Sequence, residues 1–229
     1  MSVDNYFPAN PTGNVGKLKK IIKKIIGRTV TVQPVEKLSK YNHLVQSFYA
    51  MDFLLKYEIT SYLLTDYLSD EHLSQIVDTS KKENIVAYNP KKGFEFTVKL
   101  IASFKDIKFV AIENMTSLQV SELLQISKIY IDFGNHPGKD RIPREAAMAK
   151  CVLITGKKGS ANNNHDVVID ETYKVDENNA QSVNKTGVLI NSILGDFDKH
   201  NLNFESYRRQ ILQEKDNFQK QVQLFVNRI

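Results

Sequence analysis

From residue 84 onward the chain alternates short apolar runs with stretches of helical period, and this alternation is the strongest constraint on what it can fold into. Apolar runs of strand length joined by helices build βαβ units, and hence a parallel sheet covered on both faces. "NIVAYN" (84–89) reads as a buried strand, and after the break at Pro90 and Gly93 "FEFTVKLIASF" (94–104) reads as a helix. "IKFVAIE" (107–113) is the next strand. A helix follows from 117, capped by Thr116 or Ser117, with Leu118, Val120, Leu123, Leu124 and Ile126 on a broad apolar face. "KIYIDF" (128–133) is the third strand, "PREAAMAK" (143–150) a short helix with Pro143 at its first position, and "CVLIT" (151–155) the fourth strand. "DVVID" (166–170) is the candidate fifth strand, beyond the polar loop "GKKGSANNNHD" (156–166).

The two ends read differently. "HLVQSFY" and "SYLLTD" are strand-like, each followed by a helical stretch, "AMDFLLKY" and "EHLSQIVD". Two such units rarely close a core alone. "DTSKKEN" (78–84) is the expected linker to the sheet. At the other end Phe204, Ile211, Phe218 and Phe225 recur seven apart, with Tyr207, Val222 and Ile229 between them, which predicts one long amphipathic helix packed on the body. The expected organisation is an N-terminal α/β segment (1–80), a Rossmann-like parallel sheet flanked by helices (81–200) and a C-terminal helix (201–229).

With 41% hydrophobic and 25% charged residues, disorder is not the default reading. The single cysteine, Cys151, excludes an internal disulfide and fits a reducing compartment. No apolar stretch approaches the roughly 18–20 residues of a membrane span, and the opening residues lack a secretion signal, so a cytoplasmic location is expected. The net charge of +5 favours an anionic partner: nucleic acid, lipid headgroups or a phosphorylated small molecule.

In open parallel sheets ligands bind outside the carboxyl ends of the strands. Three clusters fall there: Lys91, Lys92 and Gly93; Glu113, Asn114 and Thr116; and "HPGKDRIPREAAMAKC", from His136 through Lys139, Arg141, Arg144 and Glu145. The last puts three cations at the start of a helix, whose free N–H groups and dipole also attract an anion. A diphosphate fits this better than one carboxylate; a solvated basic loop paired with Asp140 and Glu145 is the alternative. "GNHPGKD" lacks the glycine spacing and the Ser/Thr of a P-loop. His43, His72, His136, His165 and His200 are scattered, with no metal-ligand spacing, so no metal is expected. Cys151 reads as packing, and neither Ser47 nor Ser160 sits in a nucleophile elbow. A further basic stretch, "GKLKKIIKKIIGR" (16–28), sets Leu18, Ile21, Ile22, Ile25 and Ile26 on one helical face and cations elsewhere. It suits an anionic membrane surface or a helix docked on the body; nucleic acid is not expected, for lack of a binding module.

The run "NPKKGFEFTVKLI…IENMTSLQVSELLQISKIYIDFGNHPGKDRIPREAAMAKCVLIT" resembles the C-terminal, donor-binding half of GT-B glycosyltransferases, above all a bacterial group serving surface polysaccharide synthesis, over roughly residues 41–200. The resemblance implies a nucleotide diphosphate-sugar donor and no cofactor. It implies Lys92 at the donor diphosphate, Glu113 and Asn114 near the nucleobase, Glu145 on the ribose, and Lys139, Arg141 and Arg144 around the phosphates. Many such enzymes carry a second glutamate eight positions earlier, where this chain has Pro137. Only the last two βα units of a first domain are recognisable, so a truncated N-terminal half is expected, with the acceptor side largely missing. The reading is a glycosyltransferase or its donor-binding part; the alternatives are a non-catalytic nucleotide or polyanion-binding module and a membrane-surface adaptor.

Overall fold

The computed structural model describes residues 35–227, together with Leu18, Ile21, Ile22 and Ile25, each helical. The rest of the basic stretch 16–28 lies outside the described residues. The N-terminal segment runs α1 (Val35–Leu38), β1 (His43–Val45), α2 (Phe48–Leu55), β2 (Ser61–Leu63) and α3 (Asp70–Leu73). Strands β1 and β2 pair in parallel, His43 opposite Ser61. Helix α2 starts where Ser47 turns extended and its Oγ accepts the Ala50 N–H at 3.2 Å. Leu38, Val45, Phe53, Leu54 and Ile59 form this segment's own small apolar cluster.

The main sheet follows: β3 (Glu83–Tyr88), α4 (Phe94–Ser103), β4 (Lys108–Ala111), α5 (Ser117–Ile126), β5 (Ser127–Asp132), α6 (Arg141–Met148), β6 (Val152–Gly156) and β7 (Lys174–Val175). All neighbours are parallel, in the order β4-β3-β5-β6-β7. Consecutive residues of β5 and β6 are buried, so the sheet is covered on both faces. α7 (Ser182–Gly195), α8 (Phe197–Leu202) and α9 (Glu205–Val226) complete the chain. Thr116 caps α5 in a reciprocal box with Gln119.

Two buried cations close helix ends. The Lys82 ammonium donates to the carbonyls of Leu124, Ser127 and Ala149, at 2.8, 2.7 and 2.5 Å. Arg208 donates from Nε to Ala147 O at 2.8 Å. Each adds a donor to carbonyls at the ends of α5 and α6, at the negative end of the helix dipole. Lys82 therefore lies inside the body although it falls in the linker-like stretch, and burial holds its pKa below the ordinary lysine value. Cys151 is fully buried, its Sγ 3.2 Å from both Leu124 O and Ser127 O, and burial pushes its pKa up. It is a packing residue.

Two expectations need correction. Pro143 is the third residue of α6, which starts at Arg141 after Asp140; proline is tolerated there because no first-turn N–H has a partner within the helix. "DVVID" is not a strand: Asp166 is drawn off to α2, and the fifth strand is Lys174–Val175. Helix α7 is an element that the strand-and-helix alternation does not include; Val183, Leu189, Ile190, Ile193 and Leu194 give it an apolar side. The C-terminal helix is as expected: Phe204, Tyr207 and Ile211 are buried, and Phe218 and Phe225 continue the stripe onto Tyr67 and Tyr62.

Candidate functional site

The strand order places the topological switch point between β3 and β5, since the chain moves to one side of β3 for β4 and to the other for β5. Two of the three sequence clusters meet there: Asn89–Gly93 after β3 and Phe133–Asp140 after β5. Gly93 takes a left-handed conformation (φ 56°), and a Cβ on it would come within 2.4 Å of the Phe133 carbonyl carbon. Only glycine lets these two turns touch.

The His136–Asp140 turn is pinned from the other side. The Ser160 N–H donates to His136 O at 2.8 Å, and the Ser160 hydroxyl donates to Gly138 O. Gly159 (φ 60°) lies so close that a Cβ would fall 2.0 Å from His136 O. This is why "HPGKD" and "GKKGSA" belong together: each loop is the other's support.

A line of charges runs through the crevice floor. Tyr130 donates its hydroxyl to Asp132 Oδ2 at 3.0 Å. Asp132 Oδ1 lies 3.3 Å from His136 Nε2, while His136 Nδ1 lies 2.8 Å from Asp140 Oδ2. Lys92 donates to that same Asp140 oxygen. The His136 ring is 1% exposed, yet its two carboxylate neighbours outweigh burial and raise its pKa to about 9. His136 and Lys92 in turn hold the Asp140 carboxyl below its usual range despite the opposing effect of burial. One ligand atom each from Asp132, His136 and Asp140 lies within 4.8 Å of the others, a spacing compatible with a metal ion. The arrangement argues otherwise, because the carboxylates sit at opposite ring nitrogens and Lys92 already occupies Asp140. An imidazolium between two carboxylates accounts for the geometry.

The basic residues that follow are answered from within the protein. Lys139 donates to Glu214 Oε1, and Arg144 pairs with Glu214 Oε2 at 2.7 Å and Asp66 Oδ1 at 2.8 Å. Lys139, Arg144 and Glu214 are all buried, so this is neither a solvated loop nor an open anion site. Arg141 sits 2.7 Å from Glu145 Oε1, which also faces His72 Nε2 at 3.2 Å. The Arg141 side chain is 63% exposed, whereas Glu145 is buried. Lys91 is exposed beside the crevice. Glu113 and Asn114 (φ 54°) are exposed at the end of the edge strand β4, one strand away from the switch point.

Sequence reasoning missed Glu214, His72 and Asp66. For Glu214 a signal existed: it falls in the apolar stripe of α9, seven after Tyr207 and four before Phe218. A lone acid on a buried helix face needs a buried cation. Above the crevice a cleft of about 660 Å³ separates the Pro137–Arg141 turn from the N-terminal segment, whose His43, Gln46, Phe53 and Leu54 line the opposite wall.

No protein-family model matches the sequence, and no curated protein does. Solved structures do match. TarM from S. aureus, a variant determined with fondaparinux, α-GlcNAc-glycerol and UDP, aligns over 95% of this chain and 48% of its own, with a TM-score of 0.64 at 14% identity. HepE from Anabaena, in complex with UDP-glucose, gives a TM-score of 0.59 at 11% identity, over 80% of this chain and 63% of its own. Sucrose-phosphate synthase from Thermosynechococcus elongatus gives 0.59 at 14%, over 80% and 58%. The chain thus spans about half the length of TarM and less than two thirds of the other two. Its parallel sheet, helices on both faces and long closing helix are the fold of the GT-B glycosyltransferases.

Proposed function

We propose that the chain binds a nucleoside diphosphate-sugar and forms the donor side of a glycosyltransferase acting in cell-surface polysaccharide synthesis. The observation that carries this reading is the meeting of Lys92, the N-terminus of α4 and the His136–Asp140 turn at the switch-point crevice. The fold neighbours TarM and HepE, both determined with UDP or a UDP-sugar, support the substrate class. In the reading, Lys91, Lys92 and the first N–H groups of α4 face the diphosphate, and Arg141 adds an exposed guanidinium. Charge develops on the leaving diphosphate as the bond to the sugar breaks, and fixed donors aimed there lower the barrier. Glu145 takes the ribose by exchanging its contacts with Arg141 and His72, and Glu113 and Asn114 lie towards the base. Lys139 and Arg144, neutralised by Glu214 and Asp66, shape the turn rather than meet phosphate.

Calorimetric titration with UDP, dTDP, GDP and CMP tests this. One diphosphate binds, and Lys92→Ala weakens it by roughly tenfold, the loss of one charge-assisted contact. Binding by none of them overturns the reading. Binding without sugar transfer to any acceptor leaves a nucleotide-binding module.

A membrane partner is proposed on a separate observation. Leu18, Ile21, Ile22 and Ile25 are helical and 47–78% exposed, and the sequence between them is cationic. An apolar face flanked by cations suits an anionic bilayer surface. Co-sedimentation with phosphatidylglycerol vesicles should retain the chain and fail for Ile22→Asp; no retention of the unaltered chain ends the proposal. Among the described residues no helix is long and apolar enough to cross a membrane.

A further inference from the structure

We infer that His136 is a positioning residue for the anion site: held between Asp132 and Asp140, its ring supplies the counter-charge that frees Lys92 to leave Asp140 for an incoming diphosphate. The inference rests on the donor reading above and assigns a role to a buried group that touches no ligand.

The argument starts from one oxygen. Asp140 Oδ2 receives both the Lys92 ammonium and, at 2.8 Å, His136 Nδ1. Lys92 and His136 face two carboxylates, Asp132 and Asp140, so the line is neutral overall; when Lys92 departs, Asp140 keeps the His136 imidazolium and is not stranded as a bare charge. Which departs is set by exposure and by the second carboxylate. The Lys92 side chain is 25% exposed, whereas that of His136 is 1% exposed and faces Asp132 on its far side. The ring is fixed further because Asp132 is itself held, accepting from the Tyr130 hydroxyl at 3.0 Å and the Gly134 N–H at 3.2 Å. His136 Nε2 meets Asp132 at 3.3 Å without a well-directed hydrogen bond, so this contact works through charge. With a neutral residue at 136, departure of Lys92 would leave the half-buried Asp140 carboxylate uncompensated. Such a separation is costly, and Lys92 would stay where it is.

The test is UDP calorimetry on the full chain near neutral pH, with thermal melts confirming that each variant folds. His136→Gln should weaken UDP roughly tenfold, and adding Asp140→Asn should restore wild-type affinity by releasing Lys92. A purely structural role predicts no such rescue. Wild-type affinity in His136→Gln overturns the inference, as does a loss that Asp140→Asn fails to repair. Should His136→Gln not fold, the pH profile of the unaltered chain decides. The charged and titratable groups around the ring are Asp132 and Tyr130 of β5, Asp140 before α6 and Lys92 after β3. UDP affinity should fall as pH rises through about 9, where His136 loses its proton. The profile of Asp140→Asn, which retains Lys92, should not show that step, and a wild-type profile without it overturns the inference. Failure of the unaltered chain to bind, or indifference to Lys92→Ala, counts against the donor reading instead.

Discussion

The five-stranded sheet and the N-terminal segment are built from the same βα unit, yet they are held together by different forces. In the sheet Val86, Tyr130, Leu153 and Ile154 are completely buried within one continuous core. In the segment five apolar residues, 5–9% exposed, make the cluster, and its two strands have only three residues each. Leu68 and Leu73 tie the segment to the core of the sheet, and polar contacts hold the rest of it. Asp166 accepts the N–H groups of Phe48 and Tyr49, one on each carboxylate oxygen and both at 2.8 Å; Gln221 accepts from Thr65; Arg144 reaches Asp66. The rings of Phe218 and Phe225 on α9 add contacts with Tyr67 and Tyr62. A βα unit is therefore stable in itself only where its core joins a larger one. The cleft wall facing the crevice stands where the C-terminal helix and a loop hold it.

The sharpest way to break the comparison is one substitution made twice. Leu153→Ala in the middle of the sheet should cost about 4–5 kcal/mol and lower the melting temperature of the whole chain. Leu54→Ala in α2 should chiefly speed hydrogen exchange over residues 43–63, leaving the protection of β5 and β6 as it was. Equal, global effects of both would show the two regions to be one cooperative unit. Next comes Glu214→Ala, which strands Lys139 and Arg144 with one buried partner fewer, at a cost of about 3–5 kcal/mol. Because Glu214 lies on α9 and Arg144 also holds Asp66, exchange should rise in both regions, more in the segment than in the sheet.

A third test separates the regions by pH. The folded-state pKa of His136 is raised to about 9 from 6.5, so its pairing stabilises fully below pH 6.5 and is lost as pH rises through about 9. The shift corresponds to about 3 kcal/mol. Melts at pH 6 and pH 10 should differ more for the unaltered chain than for His136→Gln, with added exchange at the crevice turns rather than in α2. Equal differences would remove His136 from the stability balance.

How much of this was legible follows the same division. The four long strands of the sheet were readable because each is a short apolar run between turn signals, and Thr116 and the α9 stripe were readable because caps and periodicity are local. The crevice was half readable. Strand-end placement pointed to Lys92, Gly93 and His136, which the fold brings to one crevice, but the partners that neutralise Lys139 and Arg144 are 70 or more residues away in sequence. Charge counted along the chain therefore suggested an open anion site where the fold supplies its own acid. The fifth strand was misread for a related reason: "DVVID" has strand composition, and the long-range bonds from Asp166 to α2 override it.

Those bonds give the smallest and most discriminating test. Asp166 is buried, and burial raises its pKa although the N–H groups of Phe48 and Tyr49 oppose this. Asp166→Ala removes a cap from the positive end of α2 and leaves two N–H groups to find water, which should cost about 1–2 kcal/mol. If polar contacts hold the segment in place, that loss should appear as faster exchange in α2 and β1, with UDP affinity at the crevice unchanged, because Lys92, His136 and Asp140 belong to the sheet. The cleft wall would move while the crevice floor stayed put, separating the two roles that the proposed function gives the two regions: the sheet to hold a donor, the hooked segment to face an acceptor. A loss of UDP affinity in Asp166→Ala would instead mean that the wall helps to hold the donor, and the division drawn between the two regions would have to give way.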